Sequence, residues 1–239
     1  MSLKKHLGDL LIPKLPVNLH VSGHIRVELC AWWVRTLHKL HPEYRAKIKN
    51  LRKKRNLLVN IGSGPYGKPN WVNLDLYNQP HLTLRADTRR QLPLADESCI
   101  GIHVEHFLEH LNPTDELMPF LRECRRCLQP DGVLRVITPD AHLYIKSYLN
   151  PECELLNQVG CCDDRHKAKF RTRMEALNYV FIQEGEHFGG YDAETLKHVL
   201  KEANFSRVRR TEWRDGDFPG GCIDRMEHRP YSLYFEAKP

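Results

Sequence analysis

Apolar and polar positions follow two periods along this chain, a helical one first and a strand-like one after it. From His24 to about His41, Ile25, Leu29, Trp33, Leu37 and Leu40 recur at helical spacing, which predicts an amphipathic helix. Residues 1–23, with Pro13, Pro16 and Gly23, read as an irregular lead-in. Pro42 interrupts the helical pattern, and residues 44–55 resume it with a strongly basic composition. Beyond Leu57, short apolar runs predict strands over 57–61, 72–76, 82–85, 99–104 and 133–137, and helices over 105–111, 115–128 and 192–203. In the second of these helices Leu117, Leu121, Cys124 and Leu128 share a face, and Gln129-Pro130-Asp131-Gly132 is a turn signal that stops it. The last helix has Asp192 as its N-cap and Asn204 as a left-handed cap. Residues 206–213 and 231–237 read as two strands joined by a Gly/Pro-rich loop, an antiparallel pair closing the sheet.

Such alternation predicts an α/β fold with a mostly parallel sheet and helices on its faces. One link is unusually short. Only residues 62–71 connect the first strand to the second, and they include Pro65, Gly67 and Pro69. A parallel crossover normally takes a dozen or more residues, so at most one helical turn fits.

Composition changes this picture little, and charge changes it in one place. Apolar residues make up 41% and charged residues 28% of the chain, which suits a globular α/β domain with a real core. No window is apolar enough to cross a bilayer, and no apolar stretch follows the first basic residues as a secretory signal would require. The eight scattered cysteines then read as reduced thiols, and a cytoplasmic location is expected, with a membrane-peripheral variant of it. Ten Lys/Arg against two Glu fall between His24 and Asn56, a local balance of +8 in a chain of net +6. The remainder is slightly acidic, so the basic character belongs to one segment, 1–55, attached to a domain over 56–239. A solvated basic side is one reading of that segment. Contact with an anionic membrane surface, a partner protein or nucleic acid through residues 24–56 is the other, and the adjacent Trp32 and Trp33 favour membrane or protein.

The candidate chemistry starts at Leu57-Leu58-Val59-Asn60-Ile61-Gly62-Ser63-Gly64. An apolar run ending in Gly-x-Gly reads as a buried strand turning where backbone must lie close to a bound nucleotide. Eleven residues on, Asp75 closes the second apolar run, where a carboxylate can accept hydrogen bonds from ribose hydroxyls. A dehydrogenase would use Gly-x-Gly-x-x-Gly, and Gly67 supplies the third glycine, but Pro65 and the missing helix leave little for a pyrophosphate to rest on. No metal site is expected. Cys124-x-x-Cys127 lies within a helix, no second pair complements it, and Cys161-Cys162 with His166 lacks a standard ligand spacing.

In order along the chain, Val59–Gly64, Trp71–Asp75, Leu92-Pro93-Leu94-Ala95-Asp96-Glu97-Ser98, Glu105-His106-Phe107-Leu108-Glu109-His110-Leu111 and Leu128–Leu134 resemble five motifs of the class I S-adenosylmethionine (SAM)-dependent methyltransferases, more narrowly the methyltransferase type 11-like group. The resemblance covers roughly residues 56–239. It implies a Rossmann-like class I fold, a seven-stranded and mostly parallel sheet with an antiparallel C-terminal strand, here with an N-terminal helical extension. It also implies SAM as the cofactor, held by Gly62, Ser63, Gly64, Asp75, Leu76, Asp87, Thr88, His103, Val104 and Glu105. On this resemblance Asp75 takes the ribose and Asp87, with Thr88 beside it, the adenine amino group.

The transferred methyl is already activated on a sulfonium, so the protein must align an acceptor and, for a hydroxyl, take up its proton. His106, after strand four, is the first candidate base, with His110 four residues on along the same expected helix. Asp140, after Thr138-Pro139, and His187, in the loop Glu184–Tyr191, are the other candidates at the acceptor side. Residues 141–190, which include the basic run 165–173, are expected to cover the acceptor. The resemblance favours a small-molecule acceptor such as a saccharide or lipid-linked glycan hydroxyl. RNA methylation, or a non-catalytic module recruited through its basic helix, are the alternatives. The +8 segment supports RNA, the near-neutral body does not, and no flipped-base motif replaces Thr138-Pro139-Asp140.

Overall fold

The computed structural model describes residues 19–150, 152–158 and 170–239. Pro13, Pro16, Cys161, Cys162, His166 and most of the basic run before Phe170 lie outside them. Helices α1 (Leu19–Leu40) and α2 (Pro42–Lys53) come first, then strands β1 (Leu57–Ile61), β2 (Val72–Asp75), β3 (Leu84–Arg85) and β4 (Cys99–Glu105). Helix α3 (Leu117–Cys127) leads into β5 (Leu128–Pro139), followed by α4 (Ala141–Leu149), α5 (Arg173–Ile182), α6 (Ala193–Glu202), β6 (Arg207–Thr211) and β7 (Ser232–Lys238). The seven strands form one sheet in the order β3-β2-β1-β4-β5-β7-β6. β1 pairs in parallel with β2 and β4, β2 with β3 and β4 with β5, and only β7 runs antiparallel to its neighbours. The expected α/β architecture, with its antiparallel C-terminal strand, is the observed one.

The short first link holds a single 3-10 turn, Gly64–Tyr66. Asp192 caps α6 by accepting from Thr195 N, and Asn204 follows the helix at φ +67°. Helix α3 stops at Cys127, and the turn signal after it becomes a bulge. The ladder jumps from Cys99–Leu128 to Gly101–Val133, so residues 129–132 loop out within β5.

Three expectations need correction. Residues 19–23 are helical, not irregular, and Gly23 sits inside α1. The apolar stripe that marks this helix as amphipathic faces outward rather than into the core: Ile25, Leu29, Trp33 and Leu40 are exposed and Leu37 is partly buried, whereas Ala31 and Val34 are fully buried. The helix is apolar on two sides, and small residues won the inner one because α1 lies close on the strand ends. Finally, the expected helix over 105–111 is a single 3-10 turn, Leu108–His110. His106 donates its backbone N–H to Ile137 O as a continuation of the sheet, then turns at φ +52°. A positive φ at a non-glycine residue breaks any helix before it can start.

Alternation along the strands gives the sheet two unlike faces. Val59, Ile61, Leu74, Ile102, Val104, Leu134 and Val136 share a buried apolar cluster with Phe120, Leu121 and Cys124 of α3 and Leu196 and Leu200 of α6. The intervening positions are polar and also buried: Asn60, Asn73, His103, Glu105, Arg135 and Glu236. The β6–β7 connection supplies their partners. Phe218 stacks on Trp71 and would collide with any side chain at Gly101. Asp224 accepts from Arg135, and Arg225 N and His228 Nδ1 donate to Glu105. Where short β1–β2 and β2–β3 links leave no room for helices, this connection covers the sheet.

Candidate functional site

At the C-terminal tips of β1 and β2 the chain turns at Gly62 (φ +64°) and Gly64 (φ +48°). An atom added to Gly64 at the Cβ position would meet nothing within 4 Å, so the turn borders open space. Ser63 Oγ, in the same turn, is buried and has no hydrogen-bond partner among the described residues. Asp75 accepts from Gly64 N (2.9 Å) through Oδ2 and from Tyr77 N (2.8 Å) through Oδ1. Those two bonds hold the carboxylate in place and leave further lone pairs for a diol. An orphaned buried hydroxyl, an open glycine cradle and a preset carboxylate suit a nucleoside such as SAM. Leu76 contributes its carbonyl to Arg85 Nε (3.0 Å), and Thr88 is buried beside Asp87.

Asp87 itself is engaged on both oxygens. Arg89 contributes Nε to Oδ1 and Arg35, from α1, pairs with Oδ2. Burial by itself would raise the Asp87 carboxyl, but the Arg89 and Arg35 guanidiniums hold it below the usual carboxylate range. The same helix sends His38 Nε2 to Arg85 O and Cys30 Sγ to Arg85, and Glu28 pairs with Arg89. α1 thus lies across the ends of the first strands as a roof. By charge pattern alone this segment reads as an appendage.

At the end of β4 the three expected rim residues turn their side chains into the sheet faces. Val104 enters the apolar core. His103 Nδ1 lies 3.4 Å from Asn60 Oδ1 and its Nε2 3.6 Å from Asp224 Oδ1. Burial would raise the Glu105 carboxyl, yet bonds and charge from His228, His103 and Arg225 hold it low. Only the backbone of these residues borders the tip.

Beyond them a cluster forms that the sequence shows only in part. Phe107 lies against Gly62, which places the His106 turn directly beside the glycine turn. His106 Nε2 meets Ser232 Oγ at 2.8 Å, its Nδ1 stands 3.5 Å from Glu109 Oε1, and its ring stacks on His228 with centroids 3.7 Å apart. His110 and His187 face each other, ring centroids 4.7 Å apart. Each points Nδ1 at a carbonyl, Glu186 O at 3.0 Å and Val180 O at 2.7 Å respectively. Burial, followed by repulsion from His228, pushes the His106 imidazole well below its ordinary value. Burial and neighbouring His110 bring His187 down to about 4. Burial pushes the Glu109 carboxyl up.

Glu109 belongs to the fourth motif but is not among the site residues that sequence reasoning singles out. Its signal is the spacing His106-x-x-Glu109-His110, which a tight turn folds onto one spot. His106 and His110 do not share a helical face, because no helix forms there, and His187 from the distant loop completes the group. A narrow crevice beside it is lined by Glu109, Thr138, Val180, Phe181, His187 and Gly190. Phe188 N donates to Glu109 O and Ala141 N to Tyr191 O, so the 186–191 loop is tied down as a wall. Asp140 is not in this group. It caps α4 by accepting from His142 N (3.0 Å), and its other oxygen lies 3.6 Å from Arg210. Among the described residues between 141 and 182, Tyr144, Leu156, Ala176 and Leu177 form a small core of their own, with Val180 and Phe181 of the crevice packed against it.

Residues 70–136 match the family model described as a methyltransferase domain, type 11. Among solved structures, a SAM-dependent methyltransferase from Archaeoglobus fulgidus is similar at 15% identity, over 87% of this chain and 100% of its own, with a TM-score of 0.44. One from Mesorhizobium loti is 16% identical over 82% of this chain and 97% of its own, TM-score 0.45. The 1,6-didemethyltoxoflavin-N1-methyltransferase of Burkholderia thailandensis, solved with S-adenosylhomocysteine, is 12% identical over 94% and 92%, TM-score 0.44. No curated protein matches the chain. The fold rests on the strand order rather than on these distant likenesses. With the glycine turn and the carboxylate at the second strand tip beside it, residues 70–136 are a methyltransferase domain of the type 11 kind, set in a seven-stranded sheet with the strand order of the class I SAM-dependent fold.

Proposed function

We propose that the enzyme methylates a hydroxyl of a small polar acceptor, a saccharide or the glycan of a lipid-linked carrier. The observation that carries this reading is the placement of the His106 turn beside the glycine turn, with Glu109, His110 and His187 clustered after it and Glu109 and His187 lining the crevice. Asp75 holds the ribose, Gly62 and Gly64 admit the methionine portion, and Ser63 Oγ finds its missing partner in the ligand. Thr88 and the backbone of residues 103–105 border the nucleoside. Asp87 anchors the α1 roof, so its contribution to the adenine pocket is to close it. Residues 24–40 then belong to the enclosure of the cofactor rather than to a separate appendage.

The cofactor brings a methyl group that is already a good electrophile. The protein's part is to exclude water, orient the acceptor oxygen and receive its proton. His106 is placed to receive that proton, because it is next to the glycine turn, and Ser232 and Glu109 fix its ring from either side. Incubation with methyl-labelled SAM and fractionated saccharide and metabolite pools tests the reading. Label in a small-molecule ether supports it, and label in RNA overturns it. His106→Ala should lower turnover about 100- to 10,000-fold with SAM affinity unchanged; an unaltered rate removes the base role.

A second reading concerns where the acceptor is met. No helix among the described residues is long and apolar enough to cross a membrane. Yet Ile25, Leu29, Trp32 and Leu40 stand exposed on one side of α1, and the following helix exposes Arg45, Lys47, Lys49, Arg52 and Lys53. An apolar stripe with tryptophan beside a basic helix complements an anionic bilayer surface. Vesicles of acidic phospholipid should sediment the protein, neutral ones should not, and 0.5 M salt should release it. Trp32→Ala with Leu29→Ser should cut binding at least tenfold without altering SAM affinity.

A further inference from the structure

We propose that Glu109, His110 and His187 form a site for a divalent transition-metal ion, with chemistry suited to zinc and an open position toward the acceptor crevice. One carboxylate oxygen and one nitrogen of each imidazole already lie within 4.8 Å of one another. Bonds of roughly 2.0–2.2 Å to a common ion would bring them to about 3.4 Å apart, a change within reach of side-chain rotation.

Two further observations point to a ligand rather than to a packed polar cluster. Glu109 is only 2% exposed, and its Oε1 makes no hydrogen bond among the described residues, with His106 Nδ1 standing off at 3.5 Å, while Thr138 Oγ1 donates to Oε2 at 3.3 Å. Leaving a buried carboxylate oxygen unpaired is costly unless something else pairs with it. Both imidazoles, moreover, use Nδ1 to donate to main-chain carbonyls, Glu186 O and Val180 O. That fixes the tautomer that presents a bare Nε2 lone pair. Metal-binding histidines are oriented in this way by their outer partners.

Two histidines and one carboxylate with a free position are the ligand set of catalytic zinc and of other open divalent sites. Glu109 and His187 also line the crevice, which is too narrow here for a water molecule, so an acceptor oxygen would fill that position once the crevice widens. There the ion would orient the hydroxyl and make its proton easier to lose. This role rests on the proposed function above, whereas the binding site itself does not. The site contains no cysteine, so it is distinct from the thiol spacings considered in the sequence.

The test is calorimetric titration of chelator-treated full-length protein with Zn2+, together with the visible absorption of the Co2+ form. One equivalent should bind at micromolar or tighter affinity. Glu109→Gln, His110→Ala and His187→Ala should each weaken it at least tenfold, and His198→Ala on the surface of α6 should not. The two histidine variants guard against misfolding of the buried glutamate variant, with circular dichroism as the check. Absence of stoichiometric binding, or binding that survives both histidine substitutions, overturns the proposal. SAM titration of the same samples keeps the two ideas apart. Cofactor binding without metal binding sinks only this inference, and metal binding without cofactor binding sinks only the methyl-transfer reading.

Discussion

Asp75→Ala is expected to abolish measurable SAM binding, by 100-fold or more, in a protein that still folds. Hydrogen bonds to a charged group contribute about 1.5–3 kcal/mol each, and this carboxylate can take both ribose hydroxyls. It is held in place by Gly64 N and Tyr77 N, so the substitution also loosens the glycine turn. Asp75→Asn separates the two effects. The amide oxygen can keep one backbone bond, so the turn should persist while the loss of charge and of an acceptor still costs much of the affinity. Calorimetry with SAM and with S-adenosylhomocysteine measures both variants. Wild-type affinity in Asp75→Ala would mean that the nucleoside lies elsewhere.

Arg135→Met should destabilise the fold by about 3–5 kcal/mol, the usual cost of stranding buried charges by deleting their partner. Arg135 is fully buried and reaches Asp224 and Glu236 by ion pairs, and Thr211 Oγ1, Asp215 O and Glu212 O by hydrogen bonds. Removing it leaves two buried carboxylates, Asp224 of the β6–β7 connection and Glu236 of β7, without the cation they share. The loss should show in urea unfolding as a lower midpoint. The wild-type protein should show a related pH dependence. Burial would raise the Asp224 carboxyl, but His103 and Arg135 hold it well below its ordinary value, and Glu105 and Asp87 are likewise depressed. A carboxyl whose folded pKa lies below its unfolded value stabilises the fold above the unfolded value, about 4, and that contribution drains away as pH falls further. Stability should therefore decline below about pH 5, and more shallowly in Arg135→Met. An equal midpoint in the two proteins at pH 7 would show that the network is not structural.

Much of the fold was legible because it follows from local pattern. The apolar runs at 57–61, 72–76 and 99–104 fall on β1, β2 and β4 of a parallel sheet, Asp192 caps its helix, and ten residues between β1 and β2 allow only one turn. The glycine turn and Asp75 were legible for the same reason: a backbone that must bend at positive φ and a carboxylate at a strand tip leave their mark in adjacent residues.

The two sheet faces were only half visible. Val-Asn-Ile, Ile-His-Val-Glu and Leu-Arg-Val show a polar residue at every second place, and such alternation normally means a solvated face. Here the polar face is buried, because the β6–β7 connection folds back to pair Arg135 with Asp224, 89 residues on, and Glu105 with His228, 123 residues on. Nothing local can announce a partner that distant.

The same holds for α1 and for the histidine cluster. A helix apolar on two sides does not declare which side packs; contact with Arg85, Asp87 and the strand ends decided for Ala31 and Val34. His106, Glu109 and His110 are close in sequence, but a φ of +52° at His106 replaced the expected helix and set their directions, and His187 arrived from another loop. What the sequence determined by itself was the order of elements and the chemistry at each strand tip, since both are written in neighbouring residues. Only the tertiary structure decided which polar groups are buried together, because the free energy of a buried charge depends on partners that the chain brings back from far away.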